Sequence, residues 1–211
     1  MISLLCSIPQ ARAASDGRTP ALDKLLKAVE ARYNRTPSLK LDFSETYAGM
    51  RRPVESDSGV LYLRKPGRMR WEYSNGKVFL SDGKEVYLYM PDEHRAERSK
   101  LKESEDMRAP LAFLLGKLDF GKEFKDFQSR PDSGGASGGT WIVATPKSEN
   151  LAYTKVEFLA TPDGEIHSVR VTGQDQSKLD FTFSGEKTAS VPDSFFKFAA
   201  PPGVQVVEAE R

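Results

Sequence analysis

Hydrophobic and polar residues alternate along much of the chain in short runs, and this pattern predicts a protein built mainly of β-strands. In the segment LKLDFSETYAG, Leu39, Leu41 and Phe43 alternate with polar residues, which is the period of a strand buried on one face. Asn75-Gly76 and Asp82-Gly83 each lie between apolar runs, and both dipeptides favour tight hairpins. The pattern therefore predicts an antiparallel sheet in which consecutive strands pair as a meander.

Two segments show helical spacing instead. Thr19 followed by Pro20 is typical of a helix start, and a stripe of apolar residues follows it: Leu22, Leu25, Leu26, Val29 and Tyr33. A second, shorter patch is too short to span a membrane, and it contains Leu111, Phe113, Leu114, Leu115, Leu118 and Phe120. Residues 129–139 are rich in Gly and Ser and predict an exposed loop. The runs beyond that loop, ending with SFFKFAAPPGVQVV, predict further strands.

The meander, residues 59–91, carries large apolar side chains in both alternation phases. Leu61 and Leu63 point away from Val60 and Tyr62; Met69, Trp71 and Tyr73 share one face, and Val86, Leu88 and Met90 oppose Tyr87 and Tyr89. A sheet buried on one side alternates more cleanly. Either both faces are packed, one by other strands and one by helices, or a strongly curved sheet encloses a ligand cavity that helices close. The alternation does not choose between these two explanations.

Length and charge narrow the function classes. A chain of 211 residues fits one domain with a sizeable core. Lys and Arg total 31 against 30 Asp and Glu, so the protein has no general attraction for nucleic acid or anionic lipid. No stretch approaches the roughly 18 apolar residues of a spanning helix. We therefore expect a soluble protein with no nucleic-acid partner and no stable membrane insertion.

The first 13 residues predict a cleavable signal peptide. A short apolar segment ends in Ala11-Arg12-Ala13, the small-x-small pattern of a signal-peptidase site before Ala14. Cys6 raises a lipoprotein alternative, but Leu5 precedes it where Gly, Ala or Ser is preferred. Cleavage would leave residues 14–211 as a single exported domain without cysteine.

Residues for catalysis or metal binding are scarce. His94 and His167 are the only histidines, and neither has a second histidine at a ligand-compatible spacing. We expect His94 in a solvated loop and His167, in phase with Val169 and Val171, to be partly buried and hydrogen-bonded. The chain has no Gly-x-Ser-x-Gly motif and no carboxylate pair that stands out. A binding protein without metal, cofactor or catalytic residues is the expectation.

A basic run lies within the meander. Arg64, Lys65, Arg68 and Arg70 follow Arg51 and Arg52 along the chain. These charges either form a docking patch for an acidic partner or headgroup, or are the solvated charges of a strand edge and loop.

Several of these segments resemble the LolA family of periplasmic lipoprotein carriers. The resemblance runs from about residue 39 to 207 and is carried, in order, by GVLYLRKPGRMRWEY, FLSDGKEVYLYMP, VATPK, DGEIH, GQDQ and FKFAAPPGVQVV. It implies an incomplete, strongly curved antiparallel β-barrel with an N-terminal helix and a helical lid over an apolar cavity. It also implies a monomeric carrier that takes acylated lipoproteins from an inner-membrane ABC transporter to an outer-membrane receptor without bond chemistry.

The resemblance assigns roles to residues. The acyl-chain cavity would be lined by Leu41, Phe43, Leu61, Leu63, Met69, Trp71, Tyr73, Phe79, Val86, Leu88 and Met90. The lid would be Leu111, Phe113, Leu114 and Leu115. Before the proline of LRKP the family carries an Arg that holds the lid shut, and here Lys65 occupies that position with Arg64 beside it. Arg64 is the alternative latch, although its strand phase points to the other face. Met69 is assigned either to the cavity or to transporter docking.

Two other functions fit the same fold. One is an outer-membrane lipoprotein receptor, which is normally lipidated itself, and the sequence around Cys6 speaks against that. The other is an envelope sensor or binding module for another acylated or lipid ligand, which would usually carry an additional domain or a membrane tether.

Overall fold

The computed structural model describes residues 18–49, 53–101, 118–133 and 138–209. Helix α1 spans Pro20–Arg35, and the single-turn helix α2 spans Phe120–Glu123. Strands β1 to β6 span Ser38–Ala48, Glu55–Arg64, Arg68–Tyr73, Val78–Asp82, Glu85–Met90 and Arg95–Lys100. Strands β7 to β12 span Phe124–Pro131, Thr140–Pro146, Tyr153–Ala160, Ile166–Gly173, Lys178–Thr188 and Gln205–Glu208.

All twelve strands belong to one sheet, in the order β12-β6-β5-β4-β3-β2-β1-β11-β10-β9-β8-β7. Neighbouring strands are antiparallel except β12 and β6, which are parallel. β2 and β1 separate β3 from β11, so a flat sheet would hold β3 and β11 about 14 Å apart. The ring centroids of Trp71 on β3 and Phe181 on β11 are nevertheless 5.0 Å apart. The sheet is open and strongly curled, which confirms the predicted incomplete barrel.

Helix α1 packs its apolar stripe into the curl. Thr19 caps the helix, since its hydroxyl accepts a hydrogen bond from the backbone N–H of Leu22 at 3.2 Å, and Pro20 occupies the first turn. The predicted stripe is confirmed: four of its residues are buried, and Leu25 packs against the same cluster half-buried. The buried four are Leu22, Leu26, Val29 and Tyr33.

The C-terminal half of α1 is anchored to the β9–β10 turn and to β11. Arg32 pairs with Glu186 at 2.8 Å and with Glu165 at 3.0 Å. The hydroxyl of Tyr33 donates to Glu186 at 2.9 Å and accepts from the backbone N–H of Ile166 at 3.0 Å. Burial, reinforced by the charge of Glu186, raises the pKa of Tyr33. This network fixes one end of the helix against the sheet.

A glycine permits that close contact. Gly164, in the β9–β10 turn, has φ +86°, and a Cβ at this position would lie 2.6 Å from the backbone carbon of Ala28. Only a residue without a side chain combines this backbone conformation with so close an approach to the helix.

The outer face of the meander is covered by the C-terminal segment, residues 191–200. A 3-10 turn, Asp193–Phe196, packs on β3 and β4. Phe195 makes an edge contact with Tyr62 at 4.8 Å, and Phe198 stacks on Tyr87 at 4.9 Å. Phe196 beneath them is fully buried. Both faces of the meander are therefore packed, but the outer cover is this segment and not a helix layer.

Most of the final run SFFKFAAPPGVQVV is not a strand, contrary to the sequence prediction. Only Gln205–Glu208 joins the sheet, next to β6. Pro201 and Pro202 have no backbone N–H to donate to a ladder, and the aromatic residues before them bury against the outer face instead.

The structure contradicts the strand-edge explanation of the basic run for Arg64, Arg68 and Arg70. β2 and β3 lie inside the sheet, so these residues are not on an edge strand. The docking patch stays a prediction, and Arg51 and Arg52 lie outside the described residues.

Arg64 pairs with Asp193 at 2.8 Å and donates to the carbonyl of Val191. Arg70 donates to the carbonyl of Phe195 at 3.3 Å, and its guanidinium lies over that ring. These arginines hold the C-terminal segment in place.

Two smaller predictions also differ from the structure. The loop expected at 129–139 starts later, because β7 continues to Pro131 and pairs there with β8. His167 is partly buried, as predicted, with 39% of its side chain exposed. It does not share the buried phase of Val169, because a register shift between Ile166 and Ser168 displaces it. Its Nε2 is 3.5 Å from Glu165 Oε1. His94 is exposed at the end of a 3-10 turn, as predicted.

Candidate functional site

The predicted cavity residues lie on one face of β1 to β5, the concave inner face. Strand register arranges most of them in two rows that run across the five strands. One row is Leu41, Leu61, Trp71, Phe79 and Leu88. The other is Leu39, Leu63, Met69, Ser81 and Val86. Residues paired across strands point to the same face, so the rows form an apolar surface that is interrupted at Ser81.

A third, shorter row contains Phe43, Gly59 and Tyr73. The Phe43 ring makes edge contacts with Trp71 at 4.8 Å and with Tyr73 at 5.1 Å. A Cβ on Gly59 would lie 3.0 Å from that ring, so the glycine leaves room for it. The row continues the inner face towards the end of the sheet at which β1 and β3 end.

Burial along the inner face is uneven. Met69, Trp71 and Phe79 are fully buried, whereas Leu88 and Met90 on β5 are half-buried. The complete burial of Met69 places it inside the curl in this conformation. A partner that docks on Met69 would have to open the inner face first.

The opposite wall of the curl was missed by the sequence analysis. Leu179 and Phe181 on β11 face the same interior as Trp71, and Phe183 packs partly buried beside them. β8 to β10 add a further group: Ile142, Ala144, Val156, Phe158, Val169 and Val171. The alternation in KLDFTFSG predicts that one face of β11 is buried. It does not show which strand that face contacts, because this depends on the curl of the whole sheet.

A polar pair lies at one end of the inner face. The hydroxyl of Tyr73 donates to Glu45 Oε2 at 2.6 Å, and Glu45 is only 5% exposed. Sequence reasoning missed Glu45, although it continues the buried phase of Leu41 and Phe43 along β1. Buried carboxylates require hydrogen-bonding partners, which the tyrosine helps to supply.

The proposed latch residues point in different directions. Lys65, in the turn after β2, donates from Nζ to Asn34 Oδ1 at 3.3 Å, and partial burial lowers the pKa of Lys65. Asn34 in turn accepts from the N–H of Leu118 at 2.7 Å and donates to its carbonyl at 2.8 Å. Arg64 reaches the outer face, as its phase predicted. Lys65 is thus connected, through the end of α1, to Leu118.

The predicted lid residues Leu111, Phe113, Leu114 and Leu115 lie outside the described residues. Leu118 is the first described residue after them, and it is buried in the core cluster.

Within the described ranges no three His, Cys, Asp or Glu side chains are grouped to hold a metal ion. No helix in those ranges is long and apolar enough to cross a membrane.

The family model of the outer membrane lipoprotein carrier protein LolA matches residues 34–199, which include all of β1 to β11. The chain belongs to the LolA family. An outer-membrane lipoprotein carrier protein of Dechloromonas aromatica is 28% identical to it over 82% of this chain and 82% of the relative. The corresponding protein of Bordetella avium is 27% identical over 98% of this chain and 94% of the relative.

A solved structure of an uncharacterized conserved protein from Thermus thermophilus shares the fold of this LolA-family chain. The TM-score is 0.55 at 13% identity, and the match covers 89% of this chain and 98% of the other. The resemblance inferred from the sequence motifs is confirmed by the family model, and this structural match supports the fold.

Proposed function

We propose that this LolA-family protein is a periplasmic carrier that binds the acyl chains of lipoproteins on its concave inner face. It would accept them from an inner-membrane ABC transporter and deliver them to an outer-membrane receptor. The observation that carries the proposal is the pair of apolar rows running across β1 to β5 inside an open, curled sheet.

The physical need for such a surface follows from the cargo. Membrane anchoring contributes about 0.8 kcal/mol for each buried CH₂, so a protein with two or three acyl chains does not cross water unaided. A carrier must offer comparable apolar contact. In the described conformation α1 and the β8–β11 wall occupy the inner face, so acyl chains would bind by displacing contacts that the protein makes with itself.

A displacement experiment tests the proposal. An apolar fluorescent probe is bound to the purified protein and then challenged with a triacylated lipopeptide or with the same peptide lacking lipid. We expect displacement by the acylated peptide alone. If the unlipidated peptide displaces the probe equally, or neither does, the acyl-carrier proposal is wrong.

The connection from Lys65 through Asn34 to Leu118 supports a latch role for Lys65. The hydrogen bonds join the β2–β3 turn to Leu118, the first described residue after the predicted lid. Because the closed, empty state competes with bound acyl chains, stabilising closure favours release.

Replacing Lys65 by leucine is expected to slow lipopeptide release to acceptor vesicles about tenfold, the equivalent of one hydrogen bond of about 1.4 kcal/mol. Lys65→Arg should release normally, because arginine keeps a donor at this position. Lys84→Leu removes an exposed lysine in a neighbouring turn and serves as the control. Release is followed by stopped-flow fluorescence, and an unchanged rate in Lys65→Leu would remove the latch assignment.

A further inference from the structure

We propose that the indole N–H of Trp71 is a hydrogen-bond donor for the ester carbonyl at the head of the bound acyl chains. The inference rests on the proposed function and adds to it a polar subsite for the acyl-glycerol linkage. Apolar contact alone does not distinguish an ester-linked chain from any other hydrocarbon chain, whereas a hydrogen bond from Trp71 Nε1 would recognise the ester.

The first observation is that Trp71 Nε1 has no acceptor within the part of the chain that the structure describes. The residue is fully buried, and buried donors in proteins are normally hydrogen-bonded. Leu61 and Phe79 flank it on the neighbouring strands, and the rings of Phe43 and Phe181 lie 4.8 Å and 5.0 Å away. A buried donor left unpaired in apolar surroundings costs stability that a phenylalanine at the same position would not.

The second tryptophan shows the ordinary arrangement. Trp141 Nε1 donates to Asp132 Oδ1 at 3.3 Å, on the other side of the sheet from the apolar rows. Of the two tryptophans, only the one on the inner face lacks a partner among the described residues. The unpaired indole N–H therefore lies on the surface that is proposed to hold the ligand.

The third observation is a gradient of polarity along the inner face. β3 presents Met69, then Trp71, then Tyr73 with its hydroxyl bonded to Glu45. β1 runs in the same direction and changes in the same order, from Leu41 through Phe43 to Glu45. Trp71 thus lies between the Met69 row, whose polar member Ser81 is already bonded to the carbonyl of Gly67, and the polar end of the face.

An acylated glycerol has the same order of groups. Its hydrocarbon chains have no hydrogen-bonding atoms, the ester carbonyls that follow are acceptors only, and the polar headgroup comes last. An indole N–H is a donor only. The carbonyl is therefore the first group of such a ligand with which Trp71 can pair, when the chains lie along the Met69 side.

Comparing the affinities of two ligands distinguishes this hydrogen bond from apolar binding of the chains. One is a dipalmitoyl-thioglyceryl lipopeptide, which has ester carbonyls; the other is its dihexadecyl ether counterpart, which keeps the chains and lacks the carbonyls. We expect the protein to bind the ester about tenfold more tightly than the ether, the effect of one buried hydrogen bond. Trp71→Phe should lose this preference and still bind both, whereas Trp141→Phe should keep it.

A spectroscopic readout does not require a change at Trp71. In Trp141→Phe the only tryptophan left is Trp71, and its emission should shift to the red with the ester ligand but not with the ether. Equal affinity of the unchanged protein for ester and ether, or a preference that survives in Trp71→Phe, would overturn the subsite and leave the carrier function standing. Binding of neither ligand would overturn both.

Discussion

Replacing Phe196 by alanine is expected to lower the free energy of unfolding by about 3–5 kcal/mol, the usual cost of a fully buried phenylalanine. Phe196 is 0% exposed and lies in the 3-10 turn that packs on β3 and β4. Its removal leaves a cavity between this turn and the outer face of the meander. The substitution also weakens the packing of the C-terminal segment, to which Arg64 and Arg70 donate hydrogen bonds.

Urea unfolding followed by circular dichroism measures the effect. Phe198→Ala is the matched control, because Phe198 is half-buried and rests on Tyr87 at the rim of the same contact. We expect it to cost roughly a third as much, since less apolar area is lost. Equal small losses in both variants would mean that the C-terminal segment is not part of the cooperative core.

Replacing Leu114 and Leu115 together by aspartate is expected to weaken binding of a diacylated lipopeptide by at least about 100-fold. Two leucines that cover acyl chains would each contribute about 1.5–3 kcal/mol of apolar burial, and the new carboxylates oppose burial further. The sheet should remain folded, because α1 and the strands supply most of its described core.

Affinity is measured by probe displacement, and the urea midpoint checks the fold. A double variant with Ser148→Asp and Asn150→Asp adds the same two negative charges in an exposed turn and should bind normally. If the leucine variant binds as well as this control, residues 111–115 do not form the lid.

The sequence predicts correctly those parts of the fold that depend on residues close together in the chain. The α1 stripe needs only helical spacing, and the hairpins at Gly76 and Gly83 need only residues that accept positive φ. The position of the C-terminal segment depends instead on contacts with residues that are distant in the sequence. Its aromatic residues are spaced as in a strand, yet they pack on the outer face of β2 to β5, far away in sequence.

The same division applies to the candidate site. Alternation grouped Met69 with Trp71, and the family resemblance assigned them to the cavity together with Leu61. The register aligns the strands into rows. Alternation also places Glu45 on the inner face. It was missed because a carboxylate in a strand usually points to solvent. The missing partner of Trp71 Nε1 depends on every atom that approaches it, so no pattern in the sequence reveals it.

The strand order has a mechanical consequence. It begins with β12 and ends with β7, and among the described strands these two ends are not joined to each other. In a closed barrel the strand number and shear set the diameter, whereas an open sheet has no such constraint. Small changes of twist, shared among many strand pairs, can widen the curl without breaking a backbone hydrogen bond. For the proposed carrier, we therefore expect acylated ligands of different width to be accommodated by changes in the curvature of the sheet.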